Sequence, residues 1–517
     1  MTSPARRVLS VQSHVVHGYV GNRAATFPLQ LLGFDVDCIN SVQFSCHKGY
    51  PSAPGQILNG DDLRTLAQGL ADNQLLNHGH LITGFIGSVS FLREVMRLRQ
   101  MMPSTSRWIC DPVLGDNGKL YVTEELVDVY RNEVLPHATI LTPNQFEAEK
   151  LGETEIRTMA EAAAVCDKLH RLGPRMIVLT TLDTPDATKN GEVYAMMLSE
   201  AGRQKWLLQL PRIEGGPFTG TGDLTASMLL AWTQLYPNEA PAALEIVGSV
   251  LQAVIRETVK ANSATLIAGK RVAPELRLIE SKRLIEDPHV EAYCSSCEPR
   301  PEIRGVLFDM DGTLTLPGAL DLSRIRERTG VPPGVDVVPY LREKHASDEA
   351  GLAAAMAIID EEERASFNPP QLRPGLRESI EHIRALGVPM GIFTRNSAGC
   401  VEDLVRHAEL PPDVFSPIVT RDSAMPNKPD PAPVLHCCET WGVEPAAVLV
   451  VGDGLDDIRS GRAAGSKTAA MLKPGPAGTV DAAKIEASAA GANSEEAIVQ
   501  LADYALSSVA GLKRFFL

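Results

Sequence analysis

From Arg7 to about Asp287, short apolar runs alternate with longer stretches in which apolar positions recur at helical spacing. Residues 8–11, 81–83, 108–110, 139–141 and 176–179 are β-rich, and each run ends in a polar or Gly/Pro-containing turn. That rhythm predicts βαβ units on a mostly parallel sheet, with ligands gathered at the carboxyl ends of the strands. The periodicity lapses after Ile285-Glu-Asp-Pro288, and residues 292–302, with Cys294, Cys297, Pro299 and Pro301, read as a connector. It resumes in three further strand-like runs, 305–308, 390–393 and 448–451, each followed at once by a polar cluster. About eighty charge-rich, helix-patterned residues separate the first two of these, more than a loop supports, and a small helical cap over roughly residues 316–372 accounts for them. The expected fold class is therefore α/β, as two Rossmann-like three-layer α/β/α domains at residues 1–291 and 303–517 with a linker at 292–302.

Length agrees, since 517 residues exceed what one core usually serves. With 44% hydrophobic and 22% charged residues the composition is that of a globular protein, and no apolar run approaches the roughly 20 residues that span a bilayer. A formal charge of −15 with no basic stripe argues against nucleic acid as a partner and leaves small-molecule substrates. The nine cysteines form no framework, and the apolar run at residues 8–11 is too early and too short for a signal peptide, so a reducing cytoplasm is expected. Cys294-Ser-Ser-Cys297 has half a zinc-site spacing with no second pair to complete it.

Two aspartate signatures have chemical content. Gly220-Thr-Gly-Asp223 heads an apolar helix whose face continues through Leu224, Met228, Ala231, Trp232 and Leu235. Glycines let backbone amides approach a phosphate at a helix N-terminus, and Asp223 is placed to accept a proton. A glycine turn with a helix cap is the simpler reading of those four residues alone. In Arg304-Gly-Val-Leu-Phe-Asp-Met-Asp-Gly-Thr313, Asp309 and Asp311 follow an apolar strand, so that one carboxylate could attack phosphorus while the other serves the leaving oxygen. Thr394 and Lys428 offer donors, and Asp453 and Asp457 offer oxygen ligands for Mg²⁺.

The blocks Arg7-Val-Leu-Ser-Val-Gln-Ser-His14, Gly18-Tyr-Val-Gly-Asn-Arg-Ala-Ala-Thr-Phe-Pro-Leu-Gln30, Asn40-Ser-Val-Gln-Phe44, Asp111-Pro-Val-Leu-Gly-Asp116, Thr142-Pro-Asn-Gln-Phe-Glu147 and Gly220-Thr-Gly-Asp-Leu224 closely resemble the pyridoxal kinase family of the ribokinase-like superfamily. The resemblance covers roughly the first 290 residues and implies ATP-dependent phosphorylation of the 5′-hydroxymethyl group of pyridoxal, pyridoxine or pyridoxamine. It implies that Asp223 is the base and that Gly220, Thr221 and Gly222 bound the anion hole. It places Ser13, His47 and Phe85 at the substrate, and Asp111, Asp116, Tyr121, Thr142, Asn144 and Thr180 at the nucleotide. Asp111, Thr142 and Glu147 would hold Mg²⁺, with K⁺ or another monovalent cation nearby, and residues 183–191 occupy the place of the family's flexible flap. The same resemblance implies a homodimer through this domain. Two residues depart from it: Lys48, where animal forms have a small hydroxyl residue, and Phe85, in place of a tyrosine. A former kinase retained as a binding module is the alternative, against which the intact Asp223 speaks.

The ordered set Asp-x-Asp-Gly-Thr, Thr, Lys and Gly-Asp-x-x-x-Asp is similar to the haloacid dehalogenase-like hydrolases over roughly residues 303–517. That similarity implies Asp309 as nucleophile, Asp311 as general acid/base, Thr394 and Lys428 as phosphate clamps, and a Mg²⁺ site of Asp309, the Met310 carbonyl, Asp311, Asp453 and Asp457. The presence of Asp311 favours phosphomonoester hydrolysis over dehalogenation, because an alkoxide needs a proton and a halide does not. A vitamin B6 5′-phosphate, a phosphoglycolate-type substrate, a nucleotide, and a non-catalytic partner module all remain open for this half.

Overall fold

In the computed structural model the described residues are 4–201, 205–236, 239–261, 265–267, 270–297, 302–317, 322–333, 335, 337–366, 370–471, 498, 501–506 and 508–516. The chain divides into two compact units, Met1–Pro299 and Arg300–Leu517.

The first unit is built on a ten-stranded sheet. Its strands are β1 (Arg7–Val15), β2 (Asp35–Phe44), β3 (Gly55–Ile57), β4 (His80–Thr83), β5 (Arg107–Cys110), β8 (Ile140–Leu141), β9 (Met176–Leu179), β10 (Val193–Glu200), β11 (Lys205–Pro211) and β14 (Ser295–Ser296), while β6 (Gly115–Asp116) with β7 (Lys119–Leu120) and β12 (Thr265–Ile267) with β13 (Lys270–Val272) form separate hairpins. The order is β14-β11-β10-β9-β8-β5-β4-β1-β2-β3. From β2 through β9 the pairings are parallel, and both edges turn antiparallel. The inner strands are apolar without interruption because both faces are covered. Leu9, Leu81, Trp108 and Ile177 point into one core, whereas their neighbours Val8, Ile82, Ile109 and Val178 point into cores on the opposite face.

Helices α1 (Asn22–Leu31), α2 (Gly60–Asp72), α3 (Val89–Met101), α4 (Glu124–Val129), α5 (Gln145–Gly152), α6 (Met159–Leu172), α7 (Thr221–Leu235), α8 (Ala240–Ala261) and α9 (Lys282–Glu286) complete the unit. Residues 224–233 of α7 are buried all round, which explains why the pattern there is apolar on every side rather than amphipathic.

The expected linker at 292–302 needs correction. Cys294 is fully buried, Ser295 and Ser296 pair with Leu207 and Trp206, and the Cys297 amide donates to the Lys205 carbonyl, so this stretch closes the sheet edge of the first unit. Residues 298–301, with Pro299 and Pro301, lie outside the described residues. Residues 183–191, expected as a flexible flap, hold a compact turn in which Thr184 and Thr188 are buried and the Thr188 hydroxyl donates to the Thr184 carbonyl.

The second unit has a six-stranded parallel sheet, β17-β16-β15-β18-β19-β20, formed by β15 (Gly305–Phe308), β16 (Met390–Phe393), β17 (Ile418–Val419), β18 (Val448–Gly452), β19 (Lys467–Met471) and β20 (Tyr504–Leu506). Between β15 and β16 the chain leaves the sheet for helices α10 (Leu322–Thr329), α11 (Val337–Lys344) and α12 (Glu349–Ser366), which share a small core of Ile325, Val331, Val337, Leu341, Ala355 and Ile359. The excursion is pinched at its base by the antiparallel bridge Thr315 to Leu372 and by the Leu316 amide donating to the Gln371 carbonyl. Residues 318–321, 334, 336 and 367–369 of the expected cap lie outside the described residues. Helices α13 (Leu376–Ala385), α14 (Ala398–His407), α15 (Ala432–Trp441) and α16 (Leu455–Ala463) flank the sheet.

Candidate active sites

In the first unit Ser13 stands near the carboxyl end of β1, and Phe85, Asp111, Thr142 and Thr180 follow the carboxyl ends of β4, β5, β8 and β9, where ligands gather in an open parallel sheet. Gly220, the residue before α7, has φ 87°, and a Cβ on it would lie 2.0 Å from the Tyr19 carbonyl oxygen. Only glycine meets both conditions. Gly220→Ala is expected to cost at least about 1 kcal/mol in stability and to lower any phosphoryl-transfer rate about 10²-fold by displacing the amides that follow; thermal unfolding and steady-state kinetics measure the two effects.

Asp223 sits in the first turn of α7, half-buried. Burial pushes its carboxyl up to about 6, against the opposing effect of a hydrogen bond from the Gly21 amide. Gly21, with φ 52°, packs against Ser13 so closely that a Cβ would lie 2.4 Å from the Ser13 hydroxyl. Gly21 therefore adjoins both Ser13 and Asp223. Asp111 is buried with its carboxyl pushed well above the usual carboxylate range, first by desolvation and then by the charges of Glu147 and Asp223. It lies beside the anion turn: a Cβ on Gly222 would meet Asp111 Oδ2 at 3.7 Å.

Glu147 and Asn144 have a structural role besides those the resemblance implied. They form the reciprocal cap of α5: Asn144 Oδ1 accepts from the Glu147 amide, and Glu147 Oε2 accepts from the Asn144 amide at 2.9 Å. Glu147 Oε1 also accepts from the amides of Leu114 and Gly115, and Asn144 Nδ2 donates to the Gly115 carbonyl. Burial nevertheless raises the Glu147 carboxyl to about 8. Glu147, expected as a metal ligand, also braces the loop after Asp111, with backbone amides on both its oxygens. Asp116 is exposed and accepts from Asn117, and Tyr121 is exposed as well. The Thr180 hydroxyl donates to the Pro143 carbonyl. Thr221, half-buried, begins α7.

Phe85 packs on a small apolar cluster of Val15, Val42 and Phe44 at the same end of the sheet. Lys48 is exposed with its Nζ 4.3 Å from the centre of the Phe44 ring. His47 is buried: Nδ1 accepts from the Gly49 amide at 3.0 Å, so the proton belongs on Nε2, which stands 3.2 Å from Glu275 Oε1. Nδ1 is thus taken up by the backbone, whereas Nε2 makes no hydrogen bond among the described residues.

In the second unit Asp309, Thr394, Thr420 and Asp453 follow the carboxyl ends of β15, β16, β17 and β18. Lys428 Nζ lies between two carboxylates, 2.5 Å from Asp309 Oδ1 and 2.6 Å from Asp457 Oδ1. All three residues are buried, and the two anions raise the lysine well above its ordinary value against the cost of desolvation. Desolvation also lifts Asp309 to about 6, an effect that the Lys428 charge opposes and that of Asp457 reinforces. Asp453 is pushed to about 8 by desolvation and by the charges of Asp309 and Asp457. Gly312, with φ 75°, makes room for that carboxylate: a Cβ there would lie 2.1 Å from Asp453 Oδ2.

Oxygens of Asp309, Asp453 and Asp457 lie within 4.8 Å of one another. Three hard carboxylates so close, two of them raised first by desolvation and then by neighbouring negative charge, suit a divalent cation. Two other expected ligands are engaged elsewhere. The Met310 carbonyl accepts from the amides of Thr313, Leu314 and Thr315 and is turned into the loop. Asp311 Oδ2 accepts from Asn396 Nδ2 at 2.6 Å, which sets it apart from the triad as a candidate proton carrier. The Thr394 hydroxyl oxygen accepts from the Asn396 amide, so its own proton remains to be donated.

Sequence reasoning missed Asn396, Arg373 and Glu275. Asn396 stands two residues beyond Thr394, in Thr-Arg-Asn-Ser, and could have been found by asking what holds Asp311. Arg373 is buried at the base of the cap and donates from Nε to the Gly312 carbonyl at 2.9 Å. Glu275 lies in no motif; its partners Tyr50 and Tyr19 are 225 and 256 residues away.

These geometries define, in the first unit, a ribokinase-like fold with a glycine anion turn and an adjacent base and, in the second, the fold of a haloacid dehalogenase-like hydrolase. Residues 303–465 match the family model described as haloacid dehalogenase-like hydrolase, and residues 77–267 match that described as phosphomethylpyrimidine kinase. The chain is 45% identical over 301 residues to a pyridoxal kinase of Arabidopsis thaliana, covering 56% of this chain and 94% of the relative. It is 43% identical over 304 residues to a pyridoxal kinase of Homo sapiens, covering 55% and 96%. The solved structure of pyridoxal kinase from Leishmania donovani with ADP and pyridoxine superposes with a TM-score of 0.51 at 34% identity, covering 57% of this chain and all of the other. Through its first unit the chain belongs to the pyridoxal kinase family, and that unit is joined to a hydrolase-family domain. Among the described residues no helix is long and apolar enough to cross a membrane.

Proposed function

We propose that the chain is a bifunctional enzyme, phosphorylating pyridoxal and its vitamers at the 5′-hydroxymethyl group with ATP in the first unit, and hydrolysing a phosphomonoester in the second. The observation that carries the first half is the juxtaposition of Asp223 with the glycine turn at the head of α7. As carboxylate, Asp223 accepts the hydroxyl proton while the substrate oxygen bonds to the γ-phosphorus and the bond to the ADP oxygen breaks. The amides at the start of α7 receive the charge of the transferring group. In the second unit an Asp309 oxygen bonds to phosphorus as the ester oxygen leaves with a proton from Asp311; water then cleaves the aspartyl-phosphate, giving its proton back to Asp311.

Asp111 and the buried Thr142 Oγ1, which makes no hydrogen bond of full geometry among the described residues, would hold Mg²⁺ in the first unit and Asp309, Asp453 and Asp457 in the second, where the cation would neutralise phosphate charge. Purified protein assayed for ATP-dependent formation of pyridoxal 5′-phosphate tests the first activity. A panel of B6 phosphates, phosphoglycolate, sugar phosphates and mononucleotides tests the second, and turnover of none of them would reduce that unit to a partner module.

A thermal measurement probes the carboxylate triad without relying on turnover. A cation must displace protons that the raised carboxyls of Asp309 (about 6) and Asp453 (about 8) still hold at low pH. Mg²⁺ is therefore expected to raise the unfolding temperature of the second unit more at pH 8 than at pH 6 in the wild type, and to lose that effect in Asp453→Asn. Equal shifts at both pH values would remove the triad as the site.

A further inference from the structure

We propose that Glu275 is a positioning residue of the phosphorylation site, one carboxylate holding the loop on the vitamer side in register with the turn that supports the anion hole. The inference rests on the kinase reading above. Oε1 lies 3.2 Å from His47 Nε2 and accepts from the Tyr50 hydroxyl at 3.0 Å; Oε2 accepts from the Tyr19 amide at 3.1 Å. Gly18 closes on the same group, since at φ 95° a Cβ there would lie 2.3 Å from Oε2. The Tyr19 carbonyl in turn abuts Gly220. His47 and Tyr50 stack edge to face with ring centres 4.8 Å apart, and their loop follows Phe44, part of the apolar cluster with Phe85.

The groups around Glu275 suit a carboxylate. The Tyr50 hydroxyl donates to Oε1 and the Tyr19 N–H to Oε2, while His47 Nε2 stands 3.2 Å from Oε1, at ion-pair distance without hydrogen-bond geometry. A glutamine in its place removes the charge that faces His47 and, whichever way its amide turns, sets its N–H₂ against either the Tyr19 N–H or the Nε2 side of His47, which weakens one side of the clamp. Because the side chain reaches the loop at 47–50 and the turn at 18–19, its loss separates the vitamer-side wall from the anion turn, and a displacement of this kind is felt in substrate alignment.

Full-length Glu275→Gln, Tyr50→Phe and wild type are compared in KM for pyridoxal, KM for ATP, kcat, direct pyridoxal binding by equilibrium dialysis, and unfolding temperature. Glu275→Gln is expected to raise KM and Kd for pyridoxal about tenfold or more with KM for ATP unchanged, and Tyr50→Phe to show the same split to a smaller degree. If Glu275→Gln does not fold, Tyr50→Phe decides alone. Unchanged pyridoxal KM and Kd in the folded variants overturns the inference, as does a parallel rise in both KM values with a lowered unfolding temperature, which would make Glu275 a brace of the whole unit. A wild type that neither binds nor phosphorylates pyridoxal would instead overturn the kinase reading itself.

Discussion

Asp223→Ala is expected to lower kcat for ATP-dependent pyridoxal phosphorylation by roughly 10²–10⁴-fold, the range for loss of a positioned general base. Both KM values should change little, because the carboxylate acts on the proton in flight rather than on ground-state binding. The pH profile makes the assignment specific. Only the ionised form accepts a proton, and burial has raised this group to about 6. Wild-type kcat should therefore be level above that value and fall about tenfold per pH unit below it. Sign and cause agree: acid returns the proton that desolvation already favours. In Asp223→Ala, and in the isosteric Asp223→Asn, that acid limb should disappear along with the rate. A variant that keeps wild-type turnover, or one that keeps the limb, would remove Asp223 from the mechanism.

Asp309→Asn is expected to abolish phosphomonoester hydrolysis, a fall of roughly 10³-fold or more, since an amide cannot form the phosphoryl-enzyme bond. Folding should survive, because Lys428 retains Asp457 at 2.6 Å as a buried counter-charge. Losing both anions would leave an unpaired buried ammonium, which costs several kcal/mol. Pyridoxal phosphorylation should be unchanged in Asp309→Asn, as its residues belong to a separate compact unit. Rapid acid quench with a ³²P-labelled phosphomonoester should trap label on the wild-type chain and none on the variant. Label retained by Asp309→Asn would place the nucleophile elsewhere.

Much of this molecule was legible before any coordinates. Parallel strands buried on both faces must be apolar at every position, so the runs at 176–179, 305–308 and 390–393 coincide with β9, β15 and β16 residue for residue. Less visible were β2, several of whose residues stay exposed, and the antiparallel pair β10 and β11, where polar positions interrupt the pattern. Motif residues were legible because their chemistry is local: Gly220 needs its glycine for a turn, and Asp309 and Asp311 stand at one strand end.

Asparagine and glutamate at 144 and 147 illustrate the reverse. Their spacing is equally that of a helix cap, and only the fold shows both Glu147 oxygens accepting from amides, those of the loop at 114–115 and of Asn144. His47 is a similar case, since a ring nitrogen is available or spent according to neighbours that no local spacing reveals.

The order and composition of apolar and polar runs, acting through backbone geometry and burial over short spans, determined two α/β units, their strand ends and the reactive groups placed there. Tertiary structure alone decided which charges face one another: Lys428 between Asp309 and Asp457, Asn396 on Asp311, and Glu275 under His47, Tyr50 and Tyr19. Hydrogen bonds and Coulomb forces act over a few ångströms of space, and folding brings within that range residues that the chain holds hundreds of positions apart.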